Sequence, residues 1–317
     1  AETKTLYICT LVLWSLAAPA LIISTDPRRL KRLAVIFACL SFVVAIEAFT
    51  GYLTSGPNSF IYVYGSNYLG LGRVIGLSLI LVIVYFLFWS NILHERIFAI
   101  LLALFYLWIL LVGGGRGPLL AALFAALIPL LFSIGVSEGK LKIRRFSIPI
   151  FTLIILCIAI LGYLNETGQM TLTLNRLTVL QEAGMGKSAG ARMEYYIYSF
   201  DLWKHSTLFG HGIGSWPIIS GLGDIRNYPH NIMLEILVEL GLIGFIIFGI
   251  LIWAAFSLLR PINRIAYEPI KMLLIMLTVF MLFNAMLSGD ISDNRLLFAC
   301  IGLMPAAQFI NRNVERI

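Results

Sequence analysis

Three observations predict an all-α fold, a polytopic transmembrane helical bundle. Of 317 residues, 60% are hydrophobic and 12% charged, about half the charged share of a soluble domain. The apolar residues, with a mean hydropathy of +0.92, fall into runs long enough to cross a hydrocarbon layer of roughly 30 Å at about 1.5 Å per residue. Finally, Lys and Arg gather in short clusters at alternate ends of those runs, as membrane topology requires. An ordinary soluble enzyme is excluded. A membrane barrel is disfavoured, because it needs short segments of strict apolar–polar alternation.

Taking roughly 17 to 25 residues per crossing gives about nine spans, near 6–25, 33–53, 69–90, 97–113, 117–136, 147–164, 231–259, 271–287 and 295–311 of what reads as a single transmembrane domain, 1–317. Arg28, Arg29, Lys31 and Arg32 follow the first span, Lys140, Lys142, Arg144 and Arg145 the fifth, and Arg260 and Arg264 the seventh. These ends are expected to be cytoplasmic. The alternate connections 54–68, 114–116 and 288–294 carry little positive charge and are expected outside. With Arg312 and Arg316 on a cytoplasmic tail, this count puts Ala1 outside, and no signal peptide is expected. The net charge of +7 therefore reports topology, and no nucleic-acid partner is expected. Cys9, Cys39, Cys157 and Cys300 all lie in apolar runs, which indicates no disulfide framework.

The long polar stretch 165–229 is about 65 residues, well beyond the usual connection length, and such loops commonly carry function. It holds His205 and His211, with His230 at its end, and a balanced set of charges: Arg176, Lys187, Arg192, Lys204 and Arg226 against Glu166, Glu182, Glu194, Asp201 and Asp224. Residues 192–204 mix Tyr195, Tyr196, Tyr198, Phe200, Leu202 and Trp203 with charge, the pattern of an amphipathic helix able to lie at a membrane surface.

The strongest local feature is Tyr228-Pro229-His230-Asn231, where this loop re-enters an apolar helix. A His at a helix start can take a proton from a hydroxyl nucleophile, or bind an anion when protonated; the bland reading is a capping residue. Arg116 sits in the glycine-rich turn 113–118, where a guanidinium near hydrocarbon suits bidentate phosphate binding or simply snorkels. Arg73, about one turn inside the third span, is a weaker candidate of the same kind. Arg176 and Arg192, taken alone, read as solvated loop charges. Glu235 and Glu239 stand four apart and share a helix face; they either orient the His or a basic partner, or act as counter-ions to Arg73 or Arg116. The 210–217 glycine cluster lacks the strand and Lys-Ser/Thr pair of a nucleotide loop. There is neither a zinc motif nor a Gly-x-Ser-x-Gly elbow, so neither metal nor cofactor is expected.

Taken together, these residues resemble the O-antigen ligase and O-antigen polymerase superfamily of bacterial membrane glycosyltransferases. Gly113 to Gly117 is similar to the family's Ser-Arg-Gly turn, with Gly115 in place of Ser. Arg192 followed by Leu208-Phe-Gly210-His-Gly212-Ile-Gly214 resembles its arginine and Pro-Leu-x-Gly-x-Gly-x-Gly, with Thr207 in place of Pro. His230-Asn231, nine residues, then Gly241 and Gly244 match the ligase spacing, and Arg176 with Leu180 matches its Arg-x-x-x-Leu. Phe245 and Ile246 occupy positions where ligases often have Thr-Thr, which keeps polymerase open.

The resemblance implies a multi-helix fold related to the GT-C glycosyltransferases in the bacterial inner membrane, with 165–229 a periplasmic loop. It implies inverting transfer of a glycan from an undecaprenyl diphosphate donor, without metal or nucleotide, to lipid A-core for a ligase or to another lipid-linked repeat for a polymerase. In those terms His230, Arg192 and Arg116 are the catalytic candidates. Arg116, Arg192, Arg176, Arg73 and Asn231 are the substrate-binding ones, and Glu235 and Glu239 support them. A lipid or glycan transporter is the alternative of another class, since buried arginines and Gly-broken helices also mark substrate paths.

Overall fold

The computed structural model describes residues 1–56, 59–132, 134–137, 140–143, 159, 162–163, 166, 172–176 and 187–308. Among them, six helices are long and apolar enough to cross a membrane: α1 (Glu2–Ile23), α2 (Pro27–Ser55), α3 (Tyr68–Phe88), α4 (Leu93–Val112), α8 (Ile232–Ser257) and α9 (Pro269–Leu287). Two shorter apolar helices, α5 (Arg116–Leu131) and α10 (Arg295–Gln308), two helices outside the spans, α6 (Lys187–His205) and α7 (Ser215–Ile219), and a 3-10 helix, Ile262–Tyr267, are also described. The protein is thus a polytopic helical membrane protein, as its composition predicts.

Helix starts follow local chemistry. Asn67 caps α3 by accepting from the Gly70 N–H at 2.8 Å, and Asp26 accepts from the Arg28 N–H at 2.8 Å before α2. Pro27 and Pro269 open α2 and α9, where a missing N–H costs nothing. In α1, Pro19 removes a donor and crowds the preceding turn, and a π-helical stretch, Pro19–Ile23, follows. The Thr10, Ser15 and Ser24 hydroxyls donate to carbonyls four residues back, each at 2.6 Å, which satisfies these three groups where lipid offers no partner.

One expected span differs. The run 117–136 is helical only to Leu131, with a break at Leu127 before Pro129, and a short antiparallel hairpin follows, Ile134–Ser137 with Lys140–Ile143. Proline's missing donor interrupts the ladder that hydropathy alone would have continued. The run 147–164 lies outside the described residues apart from three positions, and 295–311 is described as helix to Gln308.

The chain forms two compact units. The first comprises Ala1–Lys31, Leu180–Leu259 and Met281–Ile317; the second comprises Arg32–Val179 and Arg260–Phe280. In the first, α1 packs on α10, and α6 and α7 pack on the N-terminal half of α8 around buried Leu202, Trp216 and Val238. In the second, α3 packs on α4 and α5. Glycines set the approach there: a Cβ on Gly72 would lie 2.8 Å from Pro118, and one on Gly76 would overlap the Phe280 ring. Small residues at contact faces are how membrane helices gain packing energy, since lipid offers no hydrophobic drive.

Candidate functional site

The first unit builds its site around a broken helix. Within α8, Gly241 has φ 66° and ψ −165°, so the helical ladder is cut there. The loop from α6 fills the cut with its own backbone. The His211 and Gly212 N–H groups donate to the Val238 and Glu239 carbonyls at 2.8 and 2.9 Å. The Leu242 and Ile243 N–H groups donate to the Thr207 and Leu208 carbonyls at 2.8 and 3.2 Å. Groups orphaned by the break would each be costly in a membrane, and this exchange satisfies them.

Gly210 and Gly241 make the exchange sterically feasible. A Cβ on Gly210 would lie 2.5 Å from the Glu239 carbonyl carbon and 2.6 Å from the Leu240 and Gly241 nitrogens. The Gly-x-Gly-x-Gly motif therefore serves to splice a loop into a helix, and no phosphate cradle is needed to explain it. Gly210→Ala is expected to lower stability by about 2–4 kcal/mol, from strain plus backbone overlap. Gly212 also has positive φ but open space around it, so Gly212→Ala is expected to cost only about 1–2 kcal/mol. Thermal melts of the two purified variants test the difference; equal melting would refute the splice.

His230 lies immediately before α8 and is held at φ 60°, one of two described non-glycine residues with positive φ. Such backbone is uncommon outside glycine and is tolerated best by Asn, Asp and His. Asn231 then caps α8, its side-chain oxygen accepting from the Met233 and Leu234 N–H groups at 3.0 and 3.2 Å. With that oxygen committed, Asn231 acts first as the residue that fixes the backbone beside His230. The imidazole lies edge-on to Tyr228 at 4.5 Å and parallel to Tyr195 at 6.4 Å. Tyr195 in turn meets buried Trp216, whose Nε1 donates to Ser199 Oγ at 2.8 Å.

Burial, and then the Arg192 charge, push the His230 pKa down to about 4. Its Nδ1 is buried with no hydrogen-bond partner among the described residues. The imidazole is therefore neutral at neutral pH, a proton acceptor and not a cation for anions. Of the two chemistries its position allowed, this favours the first. Arg192 and Tyr196, one turn apart on α6, flank it. The Tyr196 hydroxyl lies 3.4 Å from the His230 carbonyl oxygen and reaches the Asn231 side chain. Burial raises the Tyr196 pKa, and Arg192 and Asn231 draw it back.

Glu235 and Glu239, both fully buried, meet a basic partner, one of the two roles expected of them: it is Lys4 of α1. Lys4 Nζ lies 2.5 Å from Glu235 Oε1 and 2.6 and 2.7 Å from the two Glu239 oxygens. Glu235 Oε1 also accepts from the Ile291 N–H at 3.3 Å. A lone Lys at the start of an apolar helix was the sequence signal for this partner. Arg226 also finds partners within this unit, pairing with Asp293 and lying 3.7 Å from Asp290. These ion pairs bring the connections 206–231 and 288–294 together.

The second unit holds Arg73, Arg116 and Arg176. Gly113, Gly114 and Gly115 turn the chain from α4 into α5, whose first residue is Arg116. Residues 172–176 form a helical turn docked on this corner. Thr173 Oγ1 accepts from the Gly114 N–H at 2.8 Å and donates to the Leu110 carbonyl at 3.1 Å. Arg116 donates to the Arg176 carbonyl at 2.8 Å, and Arg176 to the Gly114 carbonyl at 2.5 Å. The Arg176 guanidinium also lies 5.0 Å from the Phe60 ring centroid, so it is no solvated charge. Arg73 is buried within α3.

Among the described residues, no group of three or more His, Cys, Asp and Glu is placed to hold a metal ion. Compared with known families, residues 101–249 match the sequence model of the family described as O-antigen ligase. That segment contains the 113–117 turn, Arg176, Arg192, the spliced loop, His230 and Gly241. No curated protein matches the chain.

Proposed function

We propose that the chain, whose residues 101–249 match the family described as O-antigen ligase, is an O-antigen ligase, transferring glycan from undecaprenyl diphosphate to lipid A-core on the periplasmic face of the inner membrane. The observation that carries this reading is the neutral His230 imidazole, held in left-handed backbone beside Arg192 at the head of a broken membrane helix. In the proposed step, an acceptor sugar hydroxyl attacks the anomeric carbon of the donor from the face opposite the diphosphate. The new C–O bond forms as the bond to the diphosphate oxygen breaks, so configuration inverts. The hydroxyl proton passes to His230 Nε2, and the electron pair leaves on undecaprenyl diphosphate. Arg192 stabilises the charge that develops there.

In the second unit, Arg116 and Arg176 are proposed as phosphate ligands, with Arg73 in support. Asn231 supports His230 by capping. Glu235 and Glu239 do so through the helix that carries it. The reaction as written needs neither cofactor nor nucleotide. Phe245 and Ile246, where ligases often carry Thr-Thr, favour a second reading, polymerisation, in which the acceptor is the end of another lipid-linked repeat.

The test is to incubate the purified full-length protein with undecaprenyl-diphosphate glycan, with and without lipid A-core, and resolve products by gel and mass spectrometry. Ligase activity is expected as glycan appearing on lipid A-core alone. A ladder of lipid-linked glycan without core would replace ligase by polymerase, and no product in either mixture beside an active control would overturn both.

A further inference from the structure

We propose that one face of α6, together with the Leu208–Phe209 turn, is a lipid-binding surface seated at the headgroup–acyl boundary of the bilayer, and not an aqueous face of the long loop. The first argument is depth. The turn is spliced into α8 at Leu242 and Ile243, immediately after the break at Gly241. Beyond the break the helix runs from Leu242 to Ser257, about 24 Å at 1.5 Å per residue, which is short of a hydrocarbon core of roughly 30 Å. Wherever the spanning helix sits, the splice falls on the hydrocarbon side of the boundary, and tilt only deepens it. Leu208 and Phe209 are nevertheless 56% and 74% exposed.

The second argument is the pattern on α6. At about 100° per residue, Met193, Ile197 and Phe200 fall on one narrow stripe, and all three are exposed. Glu194, Asp201 and His205 form a separate polar stripe, also exposed. The remaining sector is turned to the protein, with Ser199 and Leu202 buried and Arg192 and Tyr196 beside His230. Lys204 ends the apolar stripe, beside the polar one. Its ammonium lies 4.9 Å from the Phe200 ring centroid and 2.7 Å from Asp201, the posture of a lysine whose stem lies in lipid and whose head reaches the polar side.

The third argument is continuity. The exposed turn adjoins the lipid-facing side of α8, where Ile243, Ile246, Ile247 and Ile250 are exposed along a span of mean hydropathy 2.6. An amphipathic helix with separated apolar and polar stripes, tethered at one end below the hydrocarbon boundary, lies in the interface. The surface bears a consequence for the site: Arg192 and Tyr196 are about one residue step round the helix from the stripe, so a lipid-anchored molecule reaches them laterally without leaving the bilayer.

The experiment places a nitroxide at single cysteines, Ile197→Cys, Phe200→Cys, Phe209→Cys and, as control, Glu194→Cys. The background is the full-length protein with its native cysteines replaced, reconstituted in phosphatidylethanolamine–phosphatidylglycerol nanodiscs. Collision with oxygen is compared with collision with a water-soluble nickel chelate. The first three sites are expected to show a several-fold higher oxygen-to-nickel ratio than Glu194→Cys. Nickel accessibility equal to the control would make the stripe aqueous, and low accessibility to both reagents would make it a protein contact; either result overturns the proposal. Bimane at the same cysteines, read by quenching with brominated phosphatidylcholine, gives a second measurement with the same expected order.

Discussion

His230→Ala and His230→Asn are each expected to lower the turnover of glycan transfer by about 10²–10⁴-fold, the range attributed to a positioned general base, while leaving expression and melting temperature near wild type. The pair is chosen for the backbone. His230 sits at φ 60°, which asparagine tolerates as histidine does, so His230→Asn removes the base without adding strain. The half-buried ring holds no hydrogen bond at Nδ1 among the described residues, so truncation leaves no orphaned partner there. Steady-state kinetics on the purified variants provide the check, and His230→Asn retaining turnover within tenfold of wild type would remove the proton-acceptor role.

The pH dependence follows from the same geometry. With the folded-state pKa lowered to about 4 from 6.5, His230 is neutral in both folded and unfolded chains above about pH 7 and makes no difference to stability there. Between about pH 6.5 and 4 the unfolded chain binds a proton that the folded one does not, so this residue makes stability fall as pH falls. The acid limb of kcat/KM, which reports the free enzyme, is expected near pH 4. The limb of kcat reports the bound complex and is expected at higher pH, because a bound diphosphate favours the imidazolium. Coincident limbs would argue against a diphosphate close to this ring.

Much of this was legible in the chain. Among the described residues, six apolar runs form helices long enough to cross a membrane, since hydrocarbon demands internally bonded backbone, and Asn231 caps α8 because an Asn before an apolar run has orphaned N–H groups to meet. The i, i+4 spacing of Glu235 and Glu239 correctly put both on one face. Their partner was hidden: Lys4 is separated from them by more than two hundred residues, and periodicity carries no information about which distant helix a face meets. The splice was hidden for a related reason. Gly210 and Gly241 stood out as family spacings, but backbone hydrogen bonds between a loop and a broken helix leave no side-chain pattern. The Arg116–Arg176 exchange illustrates a third limit, since each arginine answers a carbonyl, a group that every residue carries.

Lys4→Met is expected to destabilise the protein by about 3–5 kcal/mol, the cost of leaving buried charge without its partner. The Lys4 side chain is 13% exposed, both glutamate side chains are 0% exposed, and the contacts lie at 2.5–2.7 Å, so water is poorly placed to replace it. Two carboxylates one turn apart would then face each other across a site with little solvent. Lys4→Arg is expected to lose less, since charge is kept although the fork does not fit a pocket shaped for a compact ammonium. The decisive variant is Lys4→Met with Glu235→Gln and Glu239→Gln. If destabilisation comes from unpaired charge, removing all three charges is expected to recover most of the loss, because a buried ionic cluster replaced as a whole is often near neutral. If Lys4 acts instead through packing of its stem, the triple variant stays as unstable as the single one. Melting in detergent and in nanodiscs separates the two, and a Lys4→Met protein as stable as wild type would mean that α1 and α8 are held together by apolar contact alone.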